Sequence, residues 1–181
     1  GKRSLEIASH LEADFIKVAS MDLTYTSLLS ELRTLKVPII LSTGMAEINE
    51  IKDAIACLEM STKDVLMHCT SEYPASERNL GRISYFNKLS SSKIGYSDHT
   101  EDSFAAVAAI ALGATWFEKH ITLNKRANGP DHSFAADPIE LSQYVKDLHT
   151  ANSFFELGCD STLSEKQLIG RDAYRRSIVA S

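Results

Sequence analysis

The chain lacks most of the features that announce a function directly. It has no P-loop, no dinucleotide-binding glycine fingerprint and no zinc-ribbon spacing. Its three cysteines, Cys57, Cys69 and Cys159, are odd in number and form no C-x-x-C pair. A disulfide framework is therefore not expected, and a reduced, cytoplasmic setting is the simplest reading. Basic runs are missing too, and the formal charge of −5 argues against a nucleic-acid partner. No stretch of eighteen apolar residues suggests a membrane span, and the opening GKRSLEIASH has no apolar signal-peptide core. Low-complexity tracts are absent. Methionine does not stand first, and Gly1 in its place suggests a piece of something longer.

What is present is a rhythm. Short β-rich runs, DFIKVAS, VPIILST, DVLMHCT, SKIGYS and ATWFEKH, alternate with segments of helical spacing. Leu28, Leu29, Leu32 and Leu35 fall on one stripe, as do Ile48, Ile51, Ala54, Ile55 and Leu58. DSFAAVAAIALGA reads as a helix that is apolar almost all round and ends at Gly113. Asp137 and Pro138 make a plausible N-cap and first turn for a helix closing at Gly158. Near-continuous apolar strands alternating with helices imply an α/β fold with a helix-covered parallel sheet. An open doubly wound sheet and a (β/α)8 barrel both fit that rhythm. An open sheet gathers its chemistry at one switch point, whereas a barrel uses all its strand ends. Here every strand ends in polar groups: Lys17 and Ser20, Ser42 and Thr43, His68 and Thr70, Ser97 and His99, Glu118 and His120. That favours the barrel. Five strands cannot close eight, so the fold expected is a partial (β/α)8 TIM barrel.

His99 and His120 end neighbouring strands, separated by one helix and two short loops. Two neutral imidazoles so placed either bind one divalent cation or serve as ordinary hydrogen-bonded polar groups. Glu118 shares a strand face with His120, while Lys119 takes the other. It either transfers a proton beside the cation or holds a neighbouring side chain in place. Lys17, Ser20, Ser97 and the Ser42-Thr43-Gly44 turn before a helix form a candidate phosphate cradle, though serine and threonine there are commonly plain caps. Cys69 and His68 are adjacent and so point to opposite faces, which leaves Cys69 as a small core residue rather than a nucleophile. The Glu72-Tyr73-Pro74 turn could line a pocket. Asp131, in the turn-rich NGPDHS, could accept sugar hydroxyls or cap its turn. His10 and His149 are read as solvated on helices.

KVASMDL, ILSTGMAEINEI, HCTSEYP, IGYSDHT, ALGATWFEKHITL and NGPDHS, taken in order, closely resemble the sialic acid synthases. The resemblance implies a (β/α)8 barrel that condenses phosphoenolpyruvate with an N-acetylated mannosamine-type sugar and releases phosphate. It implies a divalent metal, Mn2+ first and Mg2+ or Co2+ as substitutes, held by His99 and His120. It places phosphoenolpyruvate contacts on Lys17, Ser20, Ser42, Ser71 and Ser97, the catalytic carboxylate on Glu118, and sugar contacts on Asp22, Tyr73 and Asp131. Asp22 stands where many members carry Glu, and Ser71 where some carry Asn. By the same resemblance, residues 1–160 are strands four to eight of the barrel. Residues 161–181 are a linker toward a C-terminal antifreeze-like domain, and the complete protein is a homodimer. The alternatives are another phosphoenolpyruvate-condensing barrel, of the 3-deoxy-heptulosonate synthase type, and a non-catalytic half-barrel.

Overall fold

A computed structural model describes residues 5–7, 10, 11, 13–155 and 162–176. Five strands form one sheet: β1 Ile16–Val18, β2 Ile39–Ser42, β3 Val65–Cys69, β4 Lys93–Asp98 and β5 Trp116–Lys119. All four pairings are parallel, and the strands lie in chain order. No strand crosses over another, as a rolling barrel wall requires and a doubly wound sheet does not. Four of the five strands fall inside the runs expected from sequence, and β4 continues one residue past SKIGYS, to Asp98.

Helices α1 Thr26–Thr34, α2 Ile48–Cys57, α3 Gly81–Leu89, α4 Phe104–Ala111 and α5 Pro138–Ser153 fill the connections and follow the last strand. The side chains sort by the period of two. Ile39, Leu41, Leu66, Ile94 and Tyr96 face outward and bury against Leu29, Leu32, Ile51, Ile83 and Phe86 of the helices. Ile40, Val65 and Met67 make a separate inner cluster with Trp116, which is the lining of the cylinder. Both leucine and isoleucine stripes read from sequence lie in the outer core. Asp137 caps α5 by accepting from the N–H groups of Ile139 and Glu140, with Pro138 at the first turn.

Three details differ from the sequence reading. Helix α3 was not anticipated, because only Ile83 and Phe86 are buried on it and its N-cap, Leu80, offers no capping side chain. Helix α5 ends at Ser153 rather than at Gly158, which lies outside the described residues. The stretch read as a linker contains a helix, α6 Glu165–Tyr174, capped by Ser164 and with no buried residue. The remainder of that stretch, 161 and 177–181, lies outside the described residues, as does Cys159.

Asp64, at the N-terminal end of β3, is fully buried. Its Oδ1 accepts from the Ile39 N–H at 2.9 Å and faces Arg33 at 3.4 Å, while Oδ2 accepts from the Ser61 N–H at 2.8 Å. This end of a barrel is where side chains serve stability. Replacing Asp64 with Ala strands those donors. It should cost about 2 kcal/mol in urea unfolding, with no direct effect at the opposite end.

Candidate functional site at the C-terminal strand ends

The pairing register sets the site. Cys69 lies opposite Ser97, Ser97 opposite Glu118, and Asp98 opposite Lys119. The next residues, His99 and His120, therefore leave the sheet side by side. Their ring centres are 5.3 Å apart, inclined at 66°. Glu118 and Lys119 separate as alternation demands. Glu118 faces inward, where its Oε1 accepts from the Ser97 hydroxyl at 3.1 Å and from the Lys17 ammonium at 3.3 Å. Lys119 faces outward and pairs with Asp98. Lys17, Ser97, Glu118, His99 and His120 thus form one connected group drawn from three strands.

His99 is oriented by the backbone. Its Nδ1–H donates to the Thr70 carbonyl at 2.7 Å, which directs the Nε2 lone pair toward the mouth. Burial holds its pKa below the ordinary 6.5, with the neighbouring His120 adding to the depression, so the ring is neutral near pH 7. Ser97 Oγ lies 3.1 Å from that Nε2, but its single proton already serves Glu118. The Nε2 lone pair is thereby left short of a donor.

Tyr73 stacks on His99 with ring centres 4.1 Å apart and meets His120 at 5.6 Å. Phe134 completes an aromatic box against Tyr73 and His120, each at 5.3 Å. Burial first, then the nearby Cys69, Asp131 and Glu118 charges, raise the Tyr73 pKa, so the phenol keeps its proton. Asp131 Oδ2 lies 3.6 Å from His120 Nδ1, which brings the NGPDHS loop to the site.

A second group gathers around Gly44. Its N–H donates to Ser20 Oγ at 2.9 Å and to Cys69 Sγ at 3.1 Å. A Cβ added there would sit 2.3 Å from Ser71 Oγ and 2.9 Å from both Cys69 Sγ and Ser20 Oγ. Glycine is required by that crowding. Ser42 Oγ, two residues earlier on the same face, is buried without a hydrogen-bond partner among the described residues.

Several expectations change here. The Ser42-Thr43-Gly44 turn offers no free helix N-terminus. Thr43 N–H and Oγ1–H both bond the Met67 carbonyl, and α2 begins only at Ile48, with Glu50 accepting from the Glu47 N–H. Cys69 is buried, as expected of a core residue, but its sulfur sits among Ser20, Ser71 and Gly44 rather than in an apolar cluster. His68, counted among the polar strand ends, points away from the mouth. It stacks on Tyr96 and donates through Nε2–H to the Arg78 carbonyl at 2.8 Å. Asp22 is half-buried on the Ser20–Asp22 turn, and no hydrogen bond or ion pair among the described residues ties its side chain to the others. Phe134 was missed, since an isolated phenylalanine in a polar loop carries no periodic signal.

Burial dominates His68 too and lowers its pKa below 6.5. The unfolded chain then binds the extra proton more readily than the folded one, so this contribution is intact above pH 6.5 and is lost as pH falls beneath it. Thermal unfolding should show a midpoint that drops between pH 7 and pH 5. The substitution His68→Phe should flatten that drop.

Metal–nitrogen bonds of about 2.0–2.1 Å need two ring nitrogens within roughly 4 Å of each other, and ring centres 5.3 Å apart permit this. The unshared Nε2 lone pair of His99 fits the same role. Among the described residues no group of three or more His, Cys, Asp or Glu side chains is arranged to hold a metal ion by itself. A divalent ion held here would take two imidazoles from this chain and its other positions from oxygen ligands.

Parallel strands in chain order, helices behind them and polar groups at every C-terminal end define part of a (β/α)8 barrel with its site at the mouth. A model of the NeuB family matches residues 2–158, and the chain belongs to that family. It is 37% identical over 180 residues to an uncharacterized protein of Methanocaldococcus jannaschii, covering 97% of this chain and 53% of that one. It is 38% identical over 144 residues to the N,N'-diacetyllegionaminic acid synthase of Campylobacter jejuni, covering 76% and 43%. Among solved structures, the N-acetylneuraminic acid (sialic acid) synthetase of Leptospira borgpetersenii, in complex with citrate, superposes with a TM-score of 0.85 at 28% identity. That match covers 98% of this chain and 64% of the other. A truncated 3-deoxy-D-arabino-heptulosonate 7-phosphate synthase of Thermotoga maritima, at 18% identity and TM-score 0.68, shares the fold alone. The chain spans about half the length of the curated relatives it matches. Among the described residues no helix is long and apolar enough to cross a membrane.

Proposed function

We propose that this chain supplies strands four to eight of the catalytic barrel of a sialic-type acid synthase. The reaction joins phosphoenolpyruvate to an N-acetylated mannosamine-type sugar. The enol carbon forms a bond to the sugar's aldehyde carbon, water adds at the carbon bearing the phosphate, and carbon–oxygen cleavage releases inorganic phosphate. The observation carrying this reading is the connected group Lys17–Glu118–Ser97 running into His99 beside His120. Such a group matches a substrate that brings both an anionic phosphate and a carbonyl.

In this reading His99 and His120 would hold a divalent ion, Mn2+ foremost, whose Lewis acidity would serve to polarise the sugar aldehyde. Lys17 and the hydroxyls of Ser20, Ser42, Ser71 and Ser97 bind the carboxylate and phosphate of phosphoenolpyruvate. Ser42, buried and unpartnered, is positioned to donate to such an anion. Glu118 takes the proton from the attacking water, and its two neighbouring donors, Lys17 and Ser97, stabilise the carboxylate between turnovers. Tyr73, half-exposed over His99, and Asp131 contact the sugar. Among the described residues β1 and β5 each pair on one side only, and residues 1–181 alone are inactive in this reading.

The test supplies the complementing barrel strands and follows phosphate release from phosphoenolpyruvate. Release that depends on N-acetylmannosamine, or on its diacetylated bacillosamine-derived analogue, is expected. No dependence on either sugar overturns the proposal.

A further inference from the structure

Behind the sheet lies a buried ion pair that the proposed chemistry does not use. Asp98 and Lys119 end β4 and β5, are register partners, and are 0% and 7% exposed at their side chains. Lys119 Nζ stands 3.3 Å from Asp98 Oδ2, donates to the Thr100 carbonyl, and lies 5.0 Å from the centre of the Tyr144 ring. Asp98 Oδ1 in turn accepts from the Thr100 N–H at 2.8 Å and from its hydroxyl at 2.7 Å. One ammonium therefore grips the residues on both sides of His99. It does so from the residue immediately before His120.

Burying two charges is expensive, and apolar replacements of similar volume are often as stable or more so. Fold stability is thus a poor reason for this pair. Its placement supplies a better one. Each histidine follows one partner of the pair by a single residue, on the opposite face, where the ammonium cannot touch substrate or ion. A strand end frays unless something fixes it, and a shift of one neighbour relative to the other would change the spacing of the two rings. We propose that Lys119 is a positioning residue that sets the separation and orientation of His99 and His120 from behind the sheet. The assignment rests on the reading of those rings as metal ligands for its consequence, though not for its geometry.

The double variant Asp98→Asn/Lys119→Met removes both charges, keeps an acceptor for Thr100, and keeps the apolar stem. Three measurements on the chain complemented by the remaining barrel segments decide the matter: the thermal midpoint, the imidazole Nδ1–H signal of His99 by NMR without metal, and Mn2+ affinity by electron paramagnetic resonance. The expected result is a midpoint within a few degrees, a His99 N–H exchanging at least tenfold faster, and Mn2+ binding weakened about tenfold. An unchanged N–H signal together with unchanged Mn2+ affinity overturns the assignment. So does loss of affinity that merely tracks loss of the fold. Should the unsubstituted chain bind no Mn2+ while the variant still frees the His99 proton, the metal reading fails and the positioning role stands. If the double variant does not fold, Lys119→Arg keeps the charge and alters its reach. The same two signals must then move with the fold intact, and if they do not the assignment is overturned.

Discussion

Replacing either His99 or His120 with Ala should lower sugar-dependent phosphate release by about a thousandfold, or about 4 kcal/mol of barrel-mouth chemistry. The two variants should differ in their collateral effects. His99 is buried and bonded to the Thr70 carbonyl, so its loss also unpairs a backbone acceptor and removes the platform under Tyr73. His120 is held more loosely, 3.6 Å from Asp131, and its truncation should leave the melting temperature nearly unchanged. Steady-state phosphate release, with Mn2+ titrated in parallel, reads both effects. Activity at the unsubstituted level in either variant would remove the imidazole pair from the mechanism.

The substitution Gly44→Ala should be nearly as damaging, although glycine there performs no chemistry. The new methyl group would arrive 2.3 Å from Ser71 Oγ and 2.9 Å from Ser20 Oγ and Cys69 Sγ. Two hydroxyls of the proposed anion pocket, and the Cys69 sulfur beside them, must move by a large fraction of an ångström. Misplacement on that scale costs roughly a hundredfold in turnover efficiency. The loss should fall mainly on the Michaelis constant for phosphoenolpyruvate rather than on Mn2+ affinity, because the histidines lie on other strands. Kinetics at varied phosphoenolpyruvate separate the two, and a variant with wild-type kinetics would show that this cluster does not face the substrate.

Much of this site was legible in the chain before any coordinates. The period of two alone separates Glu118 from Lys119, and the structure sends them to opposite faces. The strand-end histidines meet because parallel pairing in chain order carries their equal offsets into space. Ser20, Tyr73 and Asp131 were candidates from their strand end and turns, Ser71 came from motif resemblance alone, and contacts bring them near the group. What stayed hidden depends on loop geometry. No periodicity announces Phe134, the Thr70 carbonyl that orients His99, or the sulfur of Cys69 turned toward serines rather than leucines. Helix α3 escaped for a related reason: its stripe is two residues wide and its start lacks a polar cap. The Asp98–Lys119 pair was hidden because a lysine and an aspartate at strand ends suggest solvent, while here Tyr144 and the α5 layer close over them.

β1 and β5 each have a neighbour on one side only among the described residues. Their outer rims carry amide protons and carbonyl oxygens with no ladder to join, and such rims recruit whatever extended chain comes near. Unassisted, the polypeptide should therefore be gregarious, drifting into ill-defined multimers at micromolar concentration. A separately produced peptide bearing the remaining barrel segments should disperse those multimers, so light scattering offers a route to reconstitution that needs no knowledge of the sugar.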